Sequence, residues 1–450
     1  MSEAIFNVMQ IAQQDDDTTP AAALVIFPVD AGVVIDHDRA PSNPDEDYGE
    51  NAAAQPGRGA YGLKAATIAV TCDVRAEDFM ELLEMHAAGG ITPSGGAGAY
   101  VWDYLWDLTS DSKKRYTIEG GAVDTTQDQW RAVGCLVDSL EFGFDTLTAP
   151  GNAPWKATAT IEALYRELNT LTADLSAPST LETFEGHMTS LYEGSTATAF
   201  ASLAELEGHL VSFKLTSALN LARRAYGGTV DYASAWGQSG RKTINFTADL
   251  KISATSKTDV LDVYENAGST MMERRWRVLT RGSRLTTQNE VQTVTINGSP
   301  TGGTFTLSFE GATTTALAYN VASADMQTAL RALPTIDGAN VTATGDAGGP
   351  YTVTFIGTLA SQPQLLMMAS DAGLTGGTNP SITIVRTTPG GQLKTLRQDM
   401  RVRFNTVNVG NRDGERIYTV EGIVVKDATL GGDGFTSLLN GISVLPSVAP

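Results

Sequence analysis

Cysteine, histidine and long apolar runs are scarce in this chain, and each scarcity excludes a class of protein. Its 450 residues include two cysteines, Cys72 and Cys135, and four histidines. Two cysteines cannot build a disulfide framework or a four-cysteine zinc site. The longest apolar run, residues 21–29, is far shorter than the ~20 residues that span a bilayer. We therefore predict no metal site, no membrane anchor, and cysteines that act as small buried hydrophobes.

Basic residues are also in short supply. Lys and Arg total 31 against 51 Asp and Glu, which gives a formal net charge of −20. Affinity for nucleic acid depends on Lys and Arg that neutralise phosphates, so a general DNA or RNA binder is excluded. The first residues contain neither the basic segment nor the apolar segment of a signal peptide, so we expect none. At roughly 100–200 residues per domain, the length predicts two to four domains.

Signals of catalysis are weak. Residues 57–62 spell a GxGxxG string, but it leads into an alternating strand rather than a helix that could hold a pyrophosphate. Residues 36–38 (Asp-His-Asp) lack further metal ligands at a recognisable spacing. Glu81 and Glu84 are predicted to lie on the exposed flank of a helix, with His86 packed at the edge of its apolar face. We predict no catalytic residue, no cofactor and no enzymatic activity.

The apolar residues recur mainly with a period of two, which is typical of half-buried strands. The alternating segments are 66–74, 115–119, 137–144, 243–250, 401–404 and 417–420. Helical periodicity is confined to three segments, 76–85, 256–264 capped by Ser256, and 325–333 capped by Ser323 and closed by Pro334. The predicted fold class is therefore mainly β (α+β).

Features of the first half recur in the same order in the second half. Each copy has an alternating strand, a short acidic helix that ends at a glycine, a Trp-bearing strand and a Tyr-Thr strand. The strand matches are 67–74 with 243–250, 100–105 with 273–279, and 115–120 with 417–422. Chance similarity between Thr/Val strands is the alternative. We predict two copies of one β-sandwich or barrel-forming domain with a short helix each, split near residue 190.

A low-charge segment interrupts the second copy. Residues 286–393 contain eight charged side chains and predict strands at 291–296, 303–309, 341–344, 351–355 and 381–385. We predict an inserted β-rich surface module whose flanking residues, Arg284 and Lys394, lie close together. The predicted domains are 1–190 with a long acidic N-terminal arm, 191–285 with 394–450, and the insert at 286–393.

Charge is unevenly distributed along the chain. Residues 1–60 contain eleven acids and two bases, whereas arginines cluster after residue 273. Such runs are commonly solvated faces, and head-to-tail contact between an acidic and a basic face is the alternative. The predicted ring-stacking contacts join an acidic arm to a basic surface through Asp45, Glu46, Asp47, Arg274, Arg275 and Arg277.

The repeated order of strand, acidic helix and two strands, together with the long arms, resembles the tube-forming major tail protein of long-tailed bacteriophages (siphoviruses). The resemblance covers most of residues 1–285 and 394–450, in a double-domain form. The insert resembles a β-rich repeat of phage tail and surface proteins, through 289–296, 302–307, 326–334, 340–342, 349–355 and 374–378. For the insert the resemblance implies an outward-facing decoration.

The resemblance implies a late virion structural protein, made in the host cytoplasm, that self-assembles into stacked rings of the tail tube. Three double-domain chains would give a pseudo-six-fold ring, with six chains as the alternative. Double-stranded DNA would pass without specific binding along an acidic lumen faced by Asp73 and Asp249 during genome ejection. Implied partners are further copies, a tape measure protein, a tail terminator and distal tail proteins.

Two other functions stay open from the sequence. One is a baseplate or adhesin-type tail protein that binds host surface glycan through its β module. The other is an enzyme such as a polysaccharide hydrolase.

Overall fold

The computed structural model describes most of the chain. The described residues are 7–16, 18–30, 34–38, 41–42, 60–61, 64–96, 98–106, 113–122, 129–147, 153–175, 182–206, 210–224, 233, 235–265, 273–285 and 288–448, with the backbone alone at 7, 34–38, 41–42 and 60–61. The fold is mainly β, as predicted. No helix among these residues is long and apolar enough to cross a membrane.

The described residues of the first part of the chain form twelve strands and one helix. They are β1 (Asn7–Gln13), β2 (Val25–Phe27), β3 (Val34–Asp38), β4 (Pro41–Ser42), β5 (Ala60–Tyr61), β6 (Ala65–Asp73), α1 (Phe79–His86), β7 (Ser94–Gly96), β8 (Ala99–Leu105), β9 (Tyr116–Ala122), β10 (Trp130–Asp145), β11 (Lys156–Ala163) and β12 (Tyr165–Leu168).

The next part adds seven strands and a helical segment. They are β13 (Thr189–Ser195), β14 (Ala204–Leu206), β15 (Leu210–Ala218), β16 (Leu221–Arg224), β17 (Ala235–Gln238), β18 (Thr243–Lys251), α2 (Ala254–Ser256), a π-helical turn (Lys257–Leu261), α3 (Asp262–Glu265) and β19 (Glu273–Arg284). Short 3-10 turns lie at Gly186–Met188, Phe200–Ser202 and Gly357–Leu359.

The low-charge segment and the C-terminal part supply the remaining elements. They are β20 (Val291–Asn297), β21 (Gly302–Phe309), β22 (Ala312–Thr313), β23 (Leu317–Ala318), α4 (Ser323–Arg331), β24 (Val341–Thr344), β25 (Tyr351–Phe355), β26 (Met368–Ser370), β27 (Leu374–Thr375), β28 (Ser381–Thr388), β29 (Leu393–Arg412), β30 (Glu415–Val425) and β31 (Phe435–Asn440).

Antiparallel pairs connect two blocks of four strands in one sheet. The first block has the order β3–β6–β11–β10, and the second has the order β15–β18–β30–β29. The pair β10–β15 joins them. In each block the second strand is followed in sequence by a helical segment, and the fourth strand is the longest.

The N-terminal parts of the two longest strands, β10 and β29, also have a matching order of pairing partners. The N-terminal part of β10 pairs with β9 and β12, and β9 continues to β1 and β2. The N-terminal part of β29 likewise pairs with β19 and β31, and β19 continues to β13 and β14. The same pairing order thus occurs twice, with β6 and β18 at the same position.

Two of the strand matches read from the sequence do not hold in this topology. The Trp-bearing strand β8 pairs with β31, whereas β19 occupies the position of β9. The Tyr-Thr strand β30 occupies the position of β11, not that of β9. Alternating Thr and aromatic residues specify a half-buried strand but not its neighbours, because the pattern is shared by every strand of the sheet.

One hydrophobic core lies beneath both blocks. In the first block Phe142 packs between Phe79 of α1 and Trp155, with ring centroids 5.2 and 6.1 Å away. In the second block the Phe246 ring contacts Trp276 of β19, with ring centroids 5.1 Å apart. Cys72 and Cys135 are buried free thiols within this core, as predicted.

The insert has its own sheets and its own core. β24–β25–β20–β28 form one sheet, β21 pairs with β22, β23, β26 and β27, and α4 lies against β24. Arg284 lies opposite Leu393 in the β19–β29 pair, and the Leu285 N–H donates to the Gln392 carbonyl at 2.8 Å. The ends of the insert therefore lie side by side, as predicted.

The predicted helix starts differ from the observed ones at two caps. The Ser253 side chain accepts from the Ser256 N–H at 3.0 Å, and the Ser256 hydroxyl accepts from the Ser253 N–H at 2.8 Å. This reciprocal capping box makes Ser253 the N-cap, three residues before the predicted one. Helix α4 begins at Ser323 itself, with Ala322 as its N-cap.

Candidate functional site

The face of the two blocks that points away from the core is lined by polar side chains. In β6 the residues Ile68, Val70 and Cys72 are buried, whereas Thr71 and Asp73 lie on the opposite side. Strands β11, β15 and β18 show the same alternation, which follows from the period of two along a strand. We call this surface the polar face.

Rows of directly opposite residues cross the polar face from one block to the other. One row contains Asp73, Lys156, Gly143, Lys214, Thr247, Glu421 and Thr406. The neighbouring row contains Asp145, Ser212, Asp249, Thr419 and Asn408. Asp73 and Asp249 therefore share this face at equivalent positions of β6 and β18. Their orientation toward a tube lumen stays a prediction.

Asp249 is 6 % exposed and accepts hydrogen bonds at both oxygens. Ser212 Oγ and Arg412 Nη1 donate to Oδ2 at 3.0 and 2.8 Å, and Thr419 Oγ1 donates to Oδ1 at 2.7 Å. The Arg412 guanidinium also contacts Asp145 of the first block. Hydrogen bonding to Asp145 raises the pKa of Arg412. The Arg412 side chain thus connects the two blocks on the polar face.

Asp73 is partly exposed and lies among cations. Lys156 Nζ lies 3.0 Å from its Oδ1, and Arg75 lies 3.7 Å from its Oδ2. Lys156 also reaches Asp30 at 2.6 Å, and this hydrogen bond raises the pKa of the ammonium. The carboxylate of Asp73 is thereby compensated within the chain.

Other carboxylates of the polar face are compensated in the same way. Glu141 accepts from Thr216 Oγ1 at 3.1 Å and lies 3.4 Å from Lys214 Nζ. Glu162 contacts Arg223, while burial raises the pKa of its carboxyl. These acids are interleaved with cations, so the polar face is closer to electrical neutrality than the net charge of the chain suggests.

The three arginines predicted to form a stacking surface are each bound to a carboxylate of the same chain. Arg274 binds Glu193 at 2.8 and 2.6 Å. Arg275 is 8 % exposed and binds Asp427 at 2.8 and 3.0 Å.

Arg277 binds Asp399 at 2.6 and 2.8 Å. Along β19, Arg274 alternates with Arg275 and Arg277, so the three do not lie on one face. Their predicted partners, Asp45, Glu46 and Asp47, lie outside the described residues. Ring stacking through these groups stays a prediction.

Helix α1 carries two buried acids, Glu81 and Glu84, although the sequence predicts them on an exposed flank. Glu81 is 1 % exposed and accepts from Tyr116 Oη at 2.7 Å and from Ser447 Oγ at 2.6 Å. Glu84 accepts from the N–H groups of Gly90 and Ile91. The prediction was wrong because β9 and the C-terminal segment, both distant in sequence, cover this flank.

Burial shifts the pKa values of two titratable side chains of α1, Glu84 and His86. Desolvation raises the pKa of Glu84 to about 7, and it lowers the pKa of His86 to about 4. His86 Nδ1 lies 3.0 Å from the Val137 carbonyl, and its ring meets Trp106 edge-on. His86 packs in the core, as predicted. Among the described residues, no group of three His, Cys, Asp or Glu side chains is arranged to hold a metal ion.

A bacteriophage tail protein is among the known proteins that are similar to this chain. No family model matches the chain. The tail sheath protein of Mycobacterium phage Bxz1 is similar to it, at 34% identity over 155 residues. The aligned segment is 34% of this chain and spans 25% of the length of that protein.

Proposed function

We propose that this chain is a structural, non-enzymatic protein of a bacteriophage tail, and specifically the subunit of a tail tube. The similarity to a phage tail sheath protein supports the tail role. It leaves the choice between tube, sheath and baseplate open, because the aligned segment covers a minority of both chains.

The main support for a tube is the sheet that contains the two four-stranded blocks, which we call the main sheet. Two blocks with the same strand order follow one another in one continuous sheet, joined by β10–β15. A head-to-tail junction of equivalent units closes into a ring when the rotation permits. We propose two tube domains, 1–190 and 191–285 with 394–450, and a surface module at 286–393. Six blocks would then be supplied by three chains.

The polar face suits the wall of a channel for DNA. Its cations are engaged by carboxylates, as Lys156 is by Asp73 and Asp30. Phosphates therefore meet few uncompensated cations, which are the groups that hold nucleic acid. We propose that Asp73 and Asp249 face the lumen and that double-stranded DNA passes without specific binding.

We propose further copies of the chain as its main partner, within a virion tail assembled after synthesis in the host cytoplasm. A tape measure protein, a tail terminator and distal tail proteins are the further proposed partners. They would meet the interior and the two ends of such a tube.

Electron microscopy of the purified chain tests this proposal. Hollow tubes built of rings with three chains each, and with both blocks at the channel wall, are the expected result. Rings of six whole chains would contradict the pseudo-six-fold arrangement and leave the tube assignment standing.

A sheath subunit is the second candidate, favoured by the name of the relative. A sheath encloses another tube, so the chain would then assemble around a separate inner protein and its main sheet would not line the bore. Discrete oligomers that bind host cells would instead favour a baseplate or adhesin-type tail protein.

A further inference from the structure

Three large apolar side chains lie exposed on the insert within four residues of sequence. Leu365, Leu366 and Met368 are 64%, 47% and 66% exposed, whereas Met367 between them is buried. Pro363, two residues before Leu365, is also exposed. Clustered apolar side chains at a surface mark a contact with another molecule, whereas single ones are ordinary. We call Leu365, Leu366 and Met368 the insert patch.

A buried polar side chain holds the backbone of the insert patch in place. Gln292 of β20 is fully buried, and its Nε2 donates to the Leu365 carbonyl at 2.8 Å. Its Oε1 accepts from the Met367 N–H at 2.9 Å. Arg386 Nη2 donates to the Gln364 carbonyl at 2.6 Å. The exposed side chains are therefore displayed on a fixed backbone, so little ordering entropy opposes a contact.

The insert patch lies at the attached end of the insert. Arg386, which holds the patch, also donates from Nε to the buried carboxylate of Glu290 at 2.5 Å. The same carboxylate accepts from the Gly390 N–H at 2.8 Å. Gly390 lies two residues before Gln392, whose carbonyl accepts from the Leu285 N–H where the insert joins the β19–β29 hairpin. The patch is therefore close to the main sheet rather than at the free end of the insert.

The insert patch is uncharged. Residues 347–370 contain no Asp, Glu, Lys or Arg, and the nearby Arg386 is paired with Glu290. The chain as a whole has a net charge of −20, so its copies repel one another. Charged residues are depleted at the centre of protein interfaces. An uncharged apolar surface is therefore the kind of surface through which two copies make contact at least electrostatic cost.

The size of the patch distinguishes a free partner from a second copy. Three such side chains, half to two-thirds exposed, offer on the order of 200–300 Å² to a partner. A stable interface buries about 800 Å² on each side. The patch is therefore too small to hold a free partner alone. It can strengthen contact between copies that another interface already holds together, because tethered surfaces meet at high effective concentration.

We propose that the insert patch packs against the neighbouring copy of this chain in the assembled tail and strengthens an assembly that the main sheet already holds together. This inference rests on the proposed tube function. It gives the inserted module a role in the stability of the tube, although tubes form without it.

Methionine oxidation in the full chain tests the contact directly. Hydrogen peroxide transfers an oxygen atom to an exposed thioether, which gives a sulfoxide and water, and mass spectrometry reports the extent at each site. Met368 should oxidise readily in the unassembled chain and about fivefold more slowly in purified tubes, because a covered thioether loses access to the oxidant. Met367 is buried before assembly and is the internal control.

Leu365→Gln tests whether the apolar surface stabilises the assembly. Val385→Gln is the matched control, because Val385 is similarly exposed but lies opposite Thr293, on the face of the sheet away from Gln292. We expect Leu365→Gln to raise the critical concentration for assembly about three- to tenfold, as exposure of one leucine side chain predicts. Val385→Gln should leave it unchanged. Urea denaturation of both unassembled variants should match the unmodified chain, because both side chains are exposed there.

The outcomes separate this inference from the tube assignment. Tubes in which Met368 oxidises as fast as in the unassembled chain would overturn the insert contact alone. Equal critical concentrations for the Leu365→Gln and Val385→Gln variants would do the same. Protection of Met368 in assemblies that have no bore would support the contact and overturn the tube. A chain that never assembles would overturn both.

Discussion

Arg412 donates a hydrogen bond of 2.8 Å to Asp249 while its other amino group contacts Asp145. Asp249 is buried, whereas the Arg412 side chain is 35% exposed. Removal of the guanidinium leaves a nearly buried carboxylate with only hydroxyl partners. We expect Arg412→Ala to lower the free energy of unfolding by about 1–2 kcal/mol, measured by urea denaturation of the unassembled chain.

The matched control for this pair is Lys251→Ala. Lys251 and Glu415 lie 3.5 Å apart and are both about half exposed, so their loss should cost less than about 0.5 kcal/mol. Asp249→Asn combined with Arg412→Ala should be less destabilised than the sum of the two single variants. Additive effects would contradict the coupling between these residues.

The raised pKa of Glu84 predicts that the free energy of unfolding falls as pH rises. The pKa of its carboxyl is raised from 4.5 to about 7 by burial. Between these values the folded chain holds a proton that the unfolded chain releases, so stability falls with rising pH, by at most about 1.4 kcal/mol per pH unit. Asp78, with its pKa also raised to about 7, acts in the same direction. We expect Glu84→Gln to make the decline shallower in urea denaturation between pH 5 and pH 8.

His86 acts in the opposite direction. Burial lowers its pKa from 6.5 to about 4, so the unfolded chain binds the extra proton between these values and stability rises with pH there. His86→Gln should therefore steepen the decline that Glu84→Gln makes shallower. Identical pH profiles for the two variants would show that these groups do not control the dependence.

Deletion of the insert should leave assembly intact. The Leu285–Gln392 hydrogen bond already closes the β19–β29 hairpin, and the equivalent strands β9 and β10 are joined by only seven residues, 123–129. We expect replacement of residues 286–391 by a short Gly/Ser linker, which keeps Gln392 and Leu393 of the hairpin, to give tubes of unchanged bore and smaller outer diameter in electron micrographs. A deletion variant that folds, as judged by circular dichroism, but never assembles would contradict this.

Charge reversal in the acidic arm tests the stacking hypothesis. Exposed ion pairs are worth about 0–1 kcal/mol each and are screened by salt, but many copies per ring would add. We expect Lys at positions 45–47 to weaken assembly at low salt, as followed by light scattering. The same reversal at the exposed insert residues Glu310, Asp325 and Asp346 should have little effect. An unchanged salt response in the arm variant would exclude this contact.

The sequence predicted individual strands better than their neighbours. The alternation in β6 and β18 is visible because Thr, Val and Ile mark a pleated surface, and these two strands do occupy equivalent positions. The pairing of β8 with β31 and of β30 with β18 was not readable, because these partners are more than a hundred residues apart in sequence.

At the candidate site, too, the sequence predicted local features better than contacts between distant residues. The placement of Asp73 and Asp249 on one face followed from a period of two. Their compensation by Lys156 and Arg412 did not, since each cation comes from a distant strand. Arg275 illustrates the converse case. In the sequence it belongs to a cationic run, and in the fold it is buried against Asp427, which lies 152 positions later.

The fusion of two blocks in one chain restricts which rings can close. The two blocks of each copy together contain eight strands, so three copies would give a wall of twenty-four strands. With about 4.8 Å between strands and a tilt of about 40°, the backbone diameter is roughly 45–50 Å. In the proposed tube, blocks would be added in pairs, so covalent connectivity would exclude a ring of five or seven blocks. The pore diameter would then change only in steps of two blocks.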